Sequence, residues 1–268
     1  MSRLRPAGML RLTLLAGVTL ALLPAQLVAT RIGRGSAIPR LFHRVTCRLL
    51  GVRRIIRGTP PQRGVGGLIV ANHVSWLDIS VIGAERPLSF VAKSEVAGWP
   101  VIGQLAKLQR TVFIDRARRA HTADVAAEMG ARLQAGEAVV LFAEGTTGDG
   151  TRILPMRSSL LGAAHEALAA GPDSEIPVYP LTITYTGFHG LAGGRFERTL
   201  LAWYGDTDLA PHLRAVLNAG AIDVELAWGE PILMGRAVSR KEATRRAEAS
   251  IRQARRRSIA SGGAADAT

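Results

Sequence analysis

The sequence predicts an α/β fold, a mostly parallel sheet flanked by helices and preceded by N-terminal membrane-associated helices. Three observations carry that prediction. Four short apolar runs alternate with longer stretches whose apolar residues recur at helical spacing, the pattern of βαβ units with both sheet faces covered. A separate apolar run, Leu12–Ala29, stands near the N-terminus between arginines. Finally, 268 residues with 47% hydrophobic content suffice for one well-buried domain.

The first elements are read from charge. A net charge of +13 and a pI near 11.3 raise nucleic acid as a partner, so the placement of the charge has to decide. From Met1 to Leu77 there are twelve arginines, no lysine and no carboxylate; Asp78 is the first acidic residue. The run Leu12–Ala29 is broken only by Thr13, Gly17, Thr19, Pro24 and Gln26. As a helix it reaches about 27 Å against a hydrocarbon core of about 30 Å, so it spans a bilayer or lies in its interface. Arg3, Arg5 and Arg11 ahead of it also fit a secretory signal. The basic continuation Thr30-Arg31-Ile32-Gly33-Arg34 favours a retained cytoplasmic flank.

From Ile38 to Val52, residues Ile38, Leu41, Phe42, Val45, Leu49 and Val52 recur at helical spacing, while Arg40, Arg44 and Arg48 take other positions. Such an amphipathic basic helix suits anionic lipid, and a surface helix packed on the domain is the plainer alternative. With Phe42 alone available for stacking, no nucleic acid is expected. Cys47, the sole cysteine, excludes an intramolecular disulfide and fits a reducing, cytoplasmic-side location.

The organisation that follows is residues 1–57 as N-terminal membrane-anchoring helices, 58–66 as a Gly/Pro-rich linker, 67–235 as the main domain, and 236–268 as a basic C-terminal helix with a frayed tail. Strands are expected at Leu68–Ala71, Leu88–Ala92, Thr111–Ile114 and Ala138–Phe142, then around Val178–Tyr185 and Asp223–Trp228. Helices are expected near Trp76–Gly83, Val101–Leu108, Ala120–Gln134 and Ser158–Ala170. Between Arg236 and Arg257 nine basic residues accompany only Glu242 and Glu248, so the last helix is solvated or a second lipid contact.

Polar groups gather where three of these strands end, the edge at which open α/β sheets assemble their sites. Leu68–Ala71 delivers Asn72-His73-Val74-Ser75-Trp76-Leu77-Asp78. A histidine with an aspartate five residues on offers a base and its orienter, able to deprotonate a hydroxyl. The third strand ends in Phe113-Ile114-Asp115-Arg116, whose guanidinium suits a phosphate or carboxylate. The fourth ends in Phe142-Ala143-Glu144-Gly145-Thr146-Thr147, where Gly145 permits a turn and hydroxyls and backbone N–H groups can meet an anion. A structural histidine, a local Asp115–Arg116 ion pair and a helix cap at Thr146 or Thr147 are the competing readings. No Gly-x-Ser-x-Gly turn and no histidine pair with ligand spacing occurs, which disfavours an esterase and a metal hydrolase. No metal is expected.

In their order and spacing these blocks, with Ile176-Pro177-Val178-Tyr179-Pro180, resemble the glycerolipid acyltransferase family typified by bacterial 1-acylglycerol-3-phosphate acyltransferase. The resemblance implies His73 as general base, Asp78 as its partner, and Arg116 with Glu144, Gly145 and Thr146 as binders of the acceptor's polar head. It implies acyl-acyl carrier protein or acyl-CoA as donor substrate with no bound cofactor, membrane lipids as partners, and an inner (cytoplasmic) membrane location with the catalytic domain on the cytoplasmic side.

Two departures stand out: Thr147 where phosphate-using members commonly read Glu-Gly-Thr-Arg, and Arg110 where many have glycine. Arg116, Arg152 or Arg157 are candidates to replace the missing cation. Leu154–Ala164 and Ala202–Leu209 look like the branch that acylates lyso-ornithine lipid, with Asp206 and Asp208 as candidate partners of the acceptor amine. Lyso-ornithine lipid is therefore the expected acceptor, lysophosphatidic acid the alternative, and a non-catalytic lipid-binding or transfer protein the rival from another class.

Overall fold

A computed structural model describes residues 3–33, 35, 37–62, 64–115, 120–162, 164 and 175–262. The expected architecture is present. The described strands are β1 (Val52–Arg57), β2 (Gly67–Ala71), β3 (Ser89–Lys93), β4 (Val112–Ile114), β5 (Ala138–Phe142), β6 (Ile176–Phe188), β7 (Leu191–Ala192), β8 (Ile222–Trp228) and β9 (Ile232–Met234). They form one sheet in the order β1-β8-β6-β2-β5-β3-β4, with β7 and β9 pairing on β6. The stretch β6-β2-β5-β3-β4 is parallel, and the antiparallel contacts are those of β6 with β7, β8 and β9.

Alternation along the central strands sorts the core. Leu68, Val70, Val139 and Leu141 point to one face, and Ile69, Ala71, Val140 and Phe142 to the other, as the two-residue period of a strand requires. The second face is covered by α2 (Ala37–Leu49) and α3 (Leu77–Gly83), through Cys47, Leu77 and Val81. The first face is covered by α5 (Ala120–Gln134) and the last described helix (Arg240–Ala260), through Met129, Ala243, Ala247 and Ile251. The last helix is thus a packed layer of the domain. Its outer arginines pair along the helix, Arg245 and Arg246 with Glu242 and Arg252 with Glu248.

Three differences from the sequence reading have physical causes. The basic helix stops at Leu49 instead of Val52, because Gly51 takes φ +68°, the left-handed conformation with which glycine commonly ends a helix. Residues 52–57, grouped above with the anchoring helices, instead form edge strand β1, parallel to β8. Its arginines are consumed by neighbours: Arg53 meets Asp223 at 2.7 Å, Arg57 meets Glu225 at 3.6 Å, and Arg54 pairs with Glu85. The 58–66 linker consequently joins two strands of one sheet. Of the helix expected at 158–170, Ser158–Leu161 is a 3-10 turn, and 163 and 165–170 lie outside the described residues, as do 263–268.

The first helix, α1 (Pro6–Arg31), is long and apolar enough to cross a membrane. It nevertheless lies along the domain. The Arg5 N–H donates to Asn218 Oδ1 (2.9 Å), Arg11 donates to Leu217 O (2.6 Å), and Gln26 Nε2 donates to Leu108 O (2.7 Å). Elsewhere along α1, Met9, Leu20, Leu27 and Val28 are exposed.

Candidate active site

The site begins with strand parity. Ile69 and Ala71 face the α2–α3 side of the sheet, so His73, two residues further, emerges on that side as β2 ends. Asn72 locks the exit point: its side chain donates to Ile183 O (3.0 Å) and accepts from Ile183 N–H (2.8 Å). The turn 73–76 then feeds α3, which carries Asp78 in its first turn.

Asp78 is fully buried, and all its charge is answered. Oδ2 accepts from His73 Nδ1 (2.8 Å), Val74 N–H (2.7 Å) and Ser75 N–H (2.9 Å), and Oδ1 accepts from the Tyr185 hydroxyl (2.7 Å). A buried carboxylate survives only when hydrogen-bonded in this way. Because Oδ2 is an acceptor, Nδ1 carries the ring proton, which leaves the Nε2 lone pair of neutral His73 for the cavity that His73 lines. The imidazole stacks on Phe142 with centroids 3.8 Å apart and planes 12° from parallel, an arrangement that favours the charged ring. Phe142 stands there because it is the register partner of Ala71. Burial and the adjacent Asp78 charge push the Tyr185 hydroxyl well above its usual pKa, so it remains a proton donor.

Glu144 differs from the expectation that it faces a headgroup. It is 2% exposed, with Oε1 on the His73 N–H (3.1 Å) and Oε2 on the Leu154 N–H (3.0 Å). Its carboxylate holds the backbone of the His73 turn. Burial raises its pKa to about 7, with the Asp78 charge adding and the two N–H groups opposing. Gly145, at φ +74°, turns the chain so that Gly145, Thr146 and Thr147 line the cavity. Arg116 lies outside the described residues. Arg152 and Arg157 are exposed and do not line the cavity, whereas Lys93 does. Arg110 takes φ +60° and pairs with Glu137 at 2.6 Å, which explains why glycine suits this position. Asp206 and Asp208 are exposed, beside cavity-lining Gly205.

The cavity itself is about 650 Å³ and mostly apolar. It runs from His73, Trp76 and Phe142 to Leu15 and Leu22 of α1 and Phe42 of α2. Volume and lining suit a hydrocarbon chain whose reactive end reaches His73. Among the described residues no cluster of three metal-ligating side chains occurs. Sequence reasoning missed Tyr185, which reaches Asp78 from 107 residues away, and the inward turn of Glu144; neither has a local signal.

Residues 53–184 match the family model described as acyltransferase. The chain is 45% identical over 240 residues to the lyso-ornithine lipid O-acyltransferase of Brucella abortus (strain 2308), covering 89% of this chain and 90% of that protein. It is 44% identical over 234 residues to the protein of the same name from Rhizobium meliloti (strain 1021), covering 87% and 80%. The crystal structure of the 1-acyl-sn-glycerophosphate acyltransferase PlsC from Thermotoga maritima superposes with a TM-score of 0.66, covering 93% of this chain and 94% of that one at 20% identity, a likeness of fold.

Proposed function

The chain belongs to the acyltransferase family, and from this premise we propose that it moves a fatty acyl group from a thioester to the hydroxyl of lyso-ornithine lipid, giving ornithine lipid. One observation carries the reaction: a buried, fully bonded Asp78 holds His73 with its free nitrogen toward an apolar cavity. A lipid-binding or transfer protein has use for the cavity but none for the buried carboxylate. The acceptor rests on the near full-length similarity to proteins of that name, and on Thr147 in place of a phosphate-binding arginine.

In this reading His73 Nε2 takes the proton of the acceptor hydroxyl while its oxygen attacks the thioester carbonyl. Asp78 and the Phe142 face stabilise the imidazolium. The tetrahedral intermediate then expels the thiolate, which takes the proton back from His73. Tyr185 and Glu144 are positioning residues, the first through Asp78 and the second through the His73 backbone. Arg116 and the Gly145–Thr147 turn are the proposed binders of the acceptor's polar head. The donor is acyl-acyl carrier protein or acyl-CoA, and the enzyme sits on the cytoplasmic face of the inner membrane through α1, which lies in the interface because both its ends are tied to the domain.

The test is mass spectrometry of lipids formed when the purified protein receives acyl thioester with lyso-ornithine lipid and lysophosphatidic acid in competition. Ornithine lipid as the main product, lost in His73→Ala, is expected. Phosphatidic acid as the main product would move the assignment to the alternative acceptor, and no product from a folded protein would return the chain to lipid binding.

A further inference from the structure

One exposed feature beside the cavity plays no part in the chemistry above. Between a short 3-10 turn (Ser94–Gly98) and α4 (Ile102–Leu108), the chain makes an apolar tip, Trp99-Pro100-Val101-Ile102. Trp99 is 37% exposed, Val101 66% and Ile102 41%, and no charged residue lies between Glu95 and Lys107. Val101 has φ +61° and ψ −57°, with the Ile102 N–H donating to Pro100 O at 2.6 Å. This is a γ-turn of the rarer, strained kind, and a β-branched residue is the least suited to it. A strained backbone that presents a valine to solvent is held for a purpose other than stability.

The tip is rigid and placed. Gly103 N–H donates to Trp99 O (2.9 Å) and Leu105 N–H to Val101 O (3.0 Å), and a side chain at Gly103 would collide with the Ala97 carbonyl. The Trp99 ring packs edge-on against Trp203, centroids 6.1 Å apart. Trp99, Ile102 and Trp203 line the same cavity as Leu15 and Leu22 of α1, and α1 reaches α4 through the Gln26–Leu108 bond. The tip is therefore a neighbour of α1, whose exposed leucines already form an apolar surface. Exposed Lys93 and Lys107 flank it, with Glu95 between.

We infer that Trp99–Ile102 is a second membrane-inserting element, continuous with α1, so that the cavity between them opens into the bilayer and the lysolipid acceptor enters from the side. The occupant of this surface is lipid. Tryptophan at the headgroup level with aliphatics beyond it fits an interface, and a tip fixed by its own hydrogen bonds loses little freedom on insertion. This inference rests on the reading of α1 as an interfacial helix given under Proposed function.

The experiment uses the full chain on anionic phosphatidylglycerol vesicles whose acyl chains are brominated. Trp99 fluorescence, taken as the difference between the protein and Trp99→Phe, is expected to be quenched. Val101→Asp is the functional arm. Val101 does not line the cavity, and aspartate accepts positive φ better than valine, so folding is kept. Its turnover of a long-chain lysolipid held in vesicles should fall about tenfold or more, while turnover of a short-chain soluble acceptor stays within about twofold. Unquenched Trp99 on vesicle-bound protein, or equal loss on both acceptors, overturns the inference. Val101→Asn, uncharged and equally tolerant of the turn, should fall between the two. Quenching needs no turnover, so failure of the acyltransferase reading leaves this result separate.

Discussion

At the carboxyl ends of β2 and β5 the buried carboxylates are answered by partners within the protein, whereas along α1 and the neighbouring tip several apolar side chains are exposed. Asp78 takes four hydrogen bonds and Glu144 two; Leu20 of α1 is 69% exposed. The first region is held by these bonds, as the proposed proton transfer through His73 requires. The second, on the proposal made above, has a lipid phase as its complement. Two buried groups, one at the site and one on α2, are shifted in opposite senses. Burial raises Glu144 to about 7 and lowers His43 of α2 to about 4, so each is costly to charge in the folded protein.

The sharpest break of this contrast is Asp78→Asn. It leaves the apolar region untouched and should lower turnover about 10³- to 10⁴-fold, with vesicle binding unchanged in a flotation assay. Near-normal turnover would remove Asp78 from the mechanism.

Tyr185→Phe comes next. It strands a buried carboxylate oxygen, at a cost of about 1–3 kcal/mol in chemical denaturation, and should reduce turnover about tenfold through a less firmly held imidazole. An unchanged denaturation midpoint would show that the hydroxyl carries no weight.

The titrations set a third test. Glu144 has its folded value raised above the ordinary 4.5, so its contribution is fully present below pH 4.5 and is lost as pH rises toward 7. His43 has its folded value depressed below 6.5, so its contribution is present above pH 6.5 and is lost as pH falls toward 4. In melts across pH 4–8, Glu144→Gln should remove the loss on the alkaline side and His43→Gln the loss on the acid side, each on the order of 1–3 kcal/mol. Curves that keep their slopes in both variants would mean other groups set the pH optimum of stability.

The smallest expected effect tests where the two regions meet. Thr147 lines the cavity beside His73. Thr147→Arg should raise the use of lysophosphatidic acid relative to lyso-ornithine lipid a few-fold, on the order of 1 kcal/mol. No change in the ratio would place the headgroup elsewhere.

Legibility in the sequence followed the range of the interactions. β2, β5 and α5 are local events, with apolar runs or helical periodicity bounded by turn residues, and their limits could be read closely. The His73–Asp78 pair was also local, within one turn. β1 was hidden because its arginines look like a lipid-facing surface until Asp223, Glu85 and Glu225 appear beside them. Tyr185 was hidden because strand pairing brings it to Asp78 from far along the chain. Glu144 is legible as a motif member, but its direction depends on two N–H groups in a turn and a loop that only the folded sheet brings together.

The manner in which α1 is fastened has a consequence for how the protein is made. Arg5, Arg11 and Gln26 all bond to the same catalytic domain, and in the interfacial arrangement proposed above α1 is not passed to the far side of a bilayer. Folding can finish before any membrane is met, without the insertion machinery that a threaded helix requires. Between release from the ribosome and adsorption the outward leucines meet water, an apolar face of the kind that favours self-association as protein concentration rises.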